Sequence, residues 1–276
     1  MSDHPIAARW RTIREAAGRR RAALIPYLTA GFPTPADSLD ALRHVAAAGA
    51  DFIEVGLPFS DPLADGPTIQ RATQAALEHG MTVARALEQI HRAALPIPVI
   101  VMTYVNPVLA FGIERFVGEA AAAGVAGLLL TDFPAGADVA LEAVVQASPL
   151  ALIRLIAPTT SPARLAGAVR GASGFLYLIS RLGVTGVRDQ VPPDLPEHVA
   201  RVRAASALPV AVGFGISTAA QARATAAVAD GVVVGSAIVD ALAAGGVGAA
   251  ERLVRELAQA VRDGDGDGGG GGRRAA

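Results

Sequence analysis

Asp51–Pro67, DFIEVGLPFSDPLADGP, reads as a short apolar strand that breaks into a loop of Pro, Gly and Asp. The strand carries one acid, Glu54, among its hydrophobic residues, and the loop holds two more, Asp61 and Asp65. A carboxylate in an apolar strand costs several kcal/mol to desolvate unless it is paired or used. With the two-residue period of a strand, Glu54 shares a face with Phe52, so it points either into a barrel interior or out towards covering helices. Inward placement beside apolar neighbours raises a carboxyl's pKa towards the range useful for acid–base work. Loop aspartates often serve only as turn formers, and loop chemistry alone gives Asp61 and Asp65 no more than that.

Outward from this segment the same kind of apolar run recurs. Strands are expected at 23–29, 51–55, 97–104, 126–131, 150–157, 174–180, 209–213 and 230–235. These runs are short and nearly continuous, as in strands buried on both faces of a parallel sheet. Helices fill the intervals. Thr34-Pro35-Ala36-Asp37 opens one with a capping-box-like start, Leu39, Leu42, Val45 and Ala46 form its apolar stripe, and Gly49 stops it. Ser161-Pro162 and Thr218-x-x-Gln221 open others in the same way.

Eight strands alternating with helices predict an α/β fold, a (β/α)8 TIM barrel, with an extra helix over 6–20 to plug its bottom. An open doubly wound sheet is the alternative, but no G-x-G-x-x-G follows the first strand. The expected domain is a single barrel over 1–262, followed by a disordered Gly-rich tail over 263–276, DGDGDGGGGGRRAA. The tail imitates the start of a calcium loop, but its twelfth position is Arg274 rather than a bidentate Glu.

Composition removes whole classes of function. The net charge of −1 and 4% aromatic content argue against nucleic acid. No apolar run reaches the roughly 18 residues of a membrane span, and the polar N-terminus is unlike a secretory signal. The chain has no Cys, hence no disulfide or thiolate chemistry, which suits a cytoplasmic location. All 24 basic residues are Arg. Without Lys there is no Schiff-base aldolase chemistry, no covalent anchor for pyridoxal phosphate and no Walker phosphate loop. The five histidines are scattered, so no metal site is expected.

The late strands end in sequences suited to an anion. Arg181–Gly186 (RLGVTG) follows the sixth, Gly213–Ser217 (GFGIS) the seventh, and Gly235-Ser236-Ala237 the eighth. Glycine lets backbone N–H groups approach a phosphate, and a helix starting near Ser236 directs its positive end at the same place. Loops after strands seven and eight form the usual phosphate cradle of such barrels.

Taken together, IEVGLPFSDPLADGPTIQ, MTYVNPV, RLGVTG, VGFGIS and VGSAIV closely resemble the alpha chain of tryptophan synthase, over residues 15–260. The resemblance implies a lyase that cleaves indole-3-glycerol phosphate to indole and glyceraldehyde 3-phosphate. It implies no cofactor in this chain, and a beta-chain partner carrying pyridoxal phosphate in an αββα complex. By the same resemblance Glu54 and Asp65 are catalytic: Glu54 moves protons at indole C3 and the side-chain hydroxyl, and Asp65 accepts the indole N–H. Thr185 closes a loop over the site, and Gly186, Gly215, Gly235 and Ser236 bind phosphate. Tyr177 and Phe214 line the pocket, while Asp61 and Asn106 face the beta chain. Two residues depart from the pattern: Leu182, where many relatives carry a small polar residue, and Arg154, a charge within strand five expected to point away from the interior. The rivals are a free-standing indole-releasing lyase of the same family, a sugar-phosphate isomerase or epimerase, and a degenerate barrel that only activates a partner.

Overall fold

The computed structural model describes residues 4–16, 21–180, 191–213 and 215–264. Eight parallel strands close into a barrel in sequence order: β1 (Ala23–Thr29), β2 (Ile53–Gly56), β3 (Val99–Thr103), β4 (Val125–Leu130), β5 (Ala151–Ile156), β6 (Leu176–Ile179), β7 (Val210–Gly213) and β8 (Gly231–Val234). Each lies on a run expected from its apolar continuity. The helices are α1 (Pro5–Ala16), α2 (Pro35–Ala47), α3 (Pro67–Glu78), α4 (Val83–Ala93), α5 (Val105–Phe111), α6 (Ile113–Ala122), α7 (Val139–Ala147), α8 (Pro162–Ala168), α9 (Leu195–Ala205), α10 (Ala219–Ala226) and α11 (Ser236–Asp263). The last is bent at Gly246, whose φ of 67° is non-helical, and it reaches one residue past the expected domain boundary. The rest of the tail, 265–276, lies outside the described residues.

Two of the three expected caps make their side-chain hydrogen bonds. The Thr34 hydroxyl accepts from the N–H of Asp37, and Thr218 and Gln221 form a complete capping box. Ser161 caps its helix without a side-chain hydrogen bond.

Two apolar layers result from the strand period. Outward residues such as Leu24, Leu28, Ile53, Val55, Leu128 and Val232 pack against Leu42, Val45, Ile90, Phe116 and Leu257 of the helices. Inward residues, among them Ile25, Phe52, Ile153, Phe175 and Val233, meet Ile6, Trp10 and Ile13 from α1. The Trp10 ring lies 5.0 Å from that of Phe52 and 6.1 Å from that of Phe175, closing the bottom of the barrel. Such aromatic pairs add roughly 0.5–1.5 kcal/mol each beyond their buried area.

A clamp one residue before Phe52 holds the plug in place. Asp51 is 1% exposed and receives Arg9 of α1 at 2.8 Å, Arg21 at 2.7 and 2.8 Å, and the Leu24 N–H at 3.0 Å. One carboxylate thereby ties α1 to the starts of β1 and β2, with its lone pairs satisfied. Asp51→Ala leaves two arginines and a backbone donor without their acceptor. The expected loss is about 2–4 kcal/mol of unfolding free energy in urea titrations, and a loss under about 1 kcal/mol would show the clamp to be inert.

Candidate active site

Strand β2 settles which way Glu54 faces. Ile53 and Val55 lie in the outer layer and Phe52 in the inner one, so Glu54 points into the barrel above Phe52. It is 1% exposed, is paired in register with Tyr27 and Ile100, and its Oε2 has no hydrogen-bond partner. Burial holds this carboxyl up at about 8, and the nearby Asp65 charge adds to the rise. Near neutral pH Glu54 is therefore a carboxylic acid with a free oxygen, able to give a proton and take one back.

Asp65 closes the loop that follows β2. Its N–H bonds the Pro62 carbonyl at 3.0 Å, and its own carbonyl accepts from Gln70 of α3 at 3.0 Å. It is 8% exposed, and the Tyr104 hydroxyl donates to its Oδ2 at 3.0 Å. The same hydroxyl accepts from the Ala64 N–H, also at 3.0 Å, so one tyrosine fixes both the loop and the carboxylate. Burial pushes Asp65 up to about 6, against the lowering effect of the Tyr104 hydrogen bond. Between these two values the pair holds one proton, on Glu54, and one charge, on Asp65.

All three tyrosines of the chain surround this pair: Tyr27 on β1, Tyr104 after β3 and Tyr177 on β6. Burial raises the pKa of each, and the Asp65 charge raises it further. Tyr177 lies in the inner layer and within the field of Glu54. A Cβ on Gly213 would lie 2.2 Å from its hydroxyl, so that strand end stays bare for the ring. Tyr27 and Tyr104 escaped the sequence reading because a tyrosine in an apolar run looks like core. Their usable signal was scarcity: three tyrosines in 276 residues, each at or near the C-terminal end of a strand.

The glycines expected to form an anion cradle stand at the ends of β7 and β8. Gly215 is exposed with φ of 78°, and nothing lies within 4 Å of where its Cβ would be. Gly235 caps α11, its carbonyl accepting from Ile238 and Val239, so the first turn opens at Ser236 as expected. Thr185, Gly186 and Phe214 lie outside the described residues. No group of three or more metal-ligating side chains occurs among the described residues.

Asp61 and Asn106 are both exposed. Asn106 lines a groove of about 500 Å³ together with Pro58, Phe59, Met81, Pro107 and Phe111, and Asp61 directly follows Ser60 of its wall. Arg154 points outward as expected. It is 3% exposed, donates to the Phe133 carbonyl at 3.1 Å and pairs with Glu142 of α7.

A closed barrel with one raised carboxyl, Glu54, in its interior and a second, Asp65, after β2 defines a barrel enzyme of the acid–base class. The chain belongs to the tryptophan synthase alpha chain family, whose model matches residues 13–264. Alpha chains from Nitratidesulfovibrio vulgaris strain DP4 and Caulobacter sp. strain K31 are 46% and 50% identical to it. The alignments span 86% and 81% of this chain, and 93% and 82% of the relatives. Tryptophan synthase of Mycobacterium tuberculosis superposes with a TM-score of 0.86 at 41% identity, covering 95% of this chain and 99% of that one. The alpha subunit of Legionella pneumophila strain Paris superposes with a TM-score of 0.84 at 32% identity, covering 94% and 99%. The chain is thus a carbon–carbon lyase of the alpha reaction, the cleavage of indole-3-glycerol phosphate to indole and glyceraldehyde 3-phosphate.

The raised Glu54 pKa has a cost that pH exposes. Unfolded, the carboxyl ionises near 4.5; folded, only near 8, so its contribution to stability is intact below 4.5 and lost as pH rises towards 8. Glu54→Gln removes that loss. Relative to wild type the variant should gain stability between about pH 5 and pH 8.5, by on the order of a few kcal/mol in denaturant titrations. A stability difference that does not vary with pH would mean that Glu54 titrates normally.

Proposed function

We propose that Glu54 and Asp65 divide the chemistry of the alpha reaction between them. Glu54, as the acid, protonates indole C3, and the ring becomes an indolenine cation. Asp65 accepts the indole N–H and stabilises that cation. The Glu54 carboxylate then takes the proton from the side-chain hydroxyl beside C3. As that O–H opens to a carbonyl, the bond between C3 and the side chain breaks and its electrons return to the ring. Glu54 ends protonated, ready for another cycle, and no imine, metal or bound cofactor enters the balance. The observation that carries this reading is Glu54 Oε2, buried in the barrel interior without a hydrogen-bond partner, on a carboxyl that burial and the neighbouring Asp65 raise.

The remaining assignments rest on the same reading. Gly186, Gly215, Gly235 and Ser236 hold the phosphate, Thr185 closes the loop after β6, and Tyr177 and Phe214 line the indole pocket. Asp61 and Asn106 face a beta chain in an αββα complex, a role supported by their exposure and by the 91% and 51% exposure of Leu63 and Leu109 nearby. Pyridoxal phosphate belongs to that partner, since this chain has no Lys to anchor it. A cytoplasmic setting suits a step of amino-acid biosynthesis.

Glu54→Gln keeps the size of the side chain and removes its acid–base capacity. Indole release in single-turnover assays should fall roughly 100- to 10,000-fold while glycerol phosphate still binds; near-normal turnover would sink the assignment. Gly215→Val should do the reverse. A branched side chain at φ of 78° intrudes on the anion cradle, and calorimetry should show glycerol phosphate binding about tenfold weaker. Unchanged affinity would take that loop out of the site.

A further inference from the structure

Tyr27 spans the distance between the two ends of the site. On one side it pairs in register with Glu54, and a Cβ on Gly56 would lie only 2.0 Å from its hydroxyl, so the ring tip rests against the bare backbone of β2. On the other side its Cβ is 3.5 Å from where a Cβ of Gly235 would stand, at the edge of the anion cradle. Its hydroxyl lies 3.3 Å from the Thr29 hydroxyl, and both residues are buried, at 6% and 1% exposure. Ile69, Ala72 and Val239 pack around the ring. Each of the two hydroxyls has one donor and two acceptor positions, and a single mutual hydrogen bond leaves most of that capacity unused. A substrate with its ring at Glu54 and Asp65 and its phosphate at Gly235 must lay its three-carbon chain across this ground. That chain carries two hydroxyls.

We propose that Tyr27, paired with Thr29, is a specificity-determining residue that hydrogen-bonds a hydroxyl of the substrate's three-carbon chain. The inference rests on the reading of the site given above and adds to it a polar contact at the middle of the substrate. A buried site that offers a hydrogen bond to a hydroxyl also discriminates against ligands lacking one, because its own polar groups are then left unpaired.

The test uses Tyr27→Phe and two ligands. One is indole-3-glycerol phosphate. The other is the analogue that keeps the indole, the three-carbon chain and the phosphate but has hydrogen in place of both hydroxyls. For the first, kcat/KM should fall about tenfold, the worth of one lost hydrogen bond. For the second, Kd should change by less than about twofold, because no hydroxyl was there to hold. Parallel losses for both ligands would overturn the proposal in favour of a packing role, and no loss for either would overturn it outright. If Tyr27→Phe proves unfolded by circular dichroism, Thr29→Val is read by the same comparison. Absence of cleavage by the wild-type chain would strike the parent reading instead, so the two failures are distinct.

Discussion

The two-residue period of β2 is the constraint on which the rest depends. Its residues alternate between the helical layer and the barrel interior, and every second side chain inside has a separate task. Phe52 receives the ring of Trp10 at the closed end, and Glu54 holds a proton one step higher. Gly56, at the mouth, gives up its side chain so that Tyr27 can lie across it. Asp51, just ahead of the strand, fixes where the count begins by binding Arg9 and Arg21. A slip of one residue would send Glu54 among the helices and Ile53 into the site.

Barrel closure gives this alternation its chemical force. Water is kept from Glu54 by apolar neighbours below and tyrosine rings around it, so the neutral acid survives to a pH at which an exposed glutamate would be ionised. Asp65 occupies a milder setting at the rim, where a phenolic donor favours the charged form. Two carboxyls of like chemistry are thereby driven to different protonation states by burial and one hydrogen bond. The tyrosines serve as the frame because their rings fill apolar space while their hydroxyls reach the polar groups among it.

The fold was legible because each strand is a local signal. Eight apolar runs, most of them bounded by Gly, Pro or a capping residue, need no long-range information to be found. Glu54 was legible as a charge where charge is costly. Asp65 was not: within the chain it looks like a turn former, and its standing comes from Tyr104, 39 positions away. The clamp at Asp51 was hidden for the same reason, since its arginine partners lie 42 and 30 positions distant. Arg154 shows the converse. Its oddity was plain, but its partner Glu142 sat within an unremarkable amphipathic helix. Pairwise contacts between distant segments leave no periodic trace, and they account for most of what the sequence withheld.

The plug at the bottom also governs traffic. With Trp10, Phe52 and Phe175 filling the lower barrel, the site is a blind well rather than a passage. Among the described residues that end offers no passage, so entry and exit fall to the rim. The end that carries Asp65 and Gly235 is then the open one, and the loops there set how freely a ligand comes and goes.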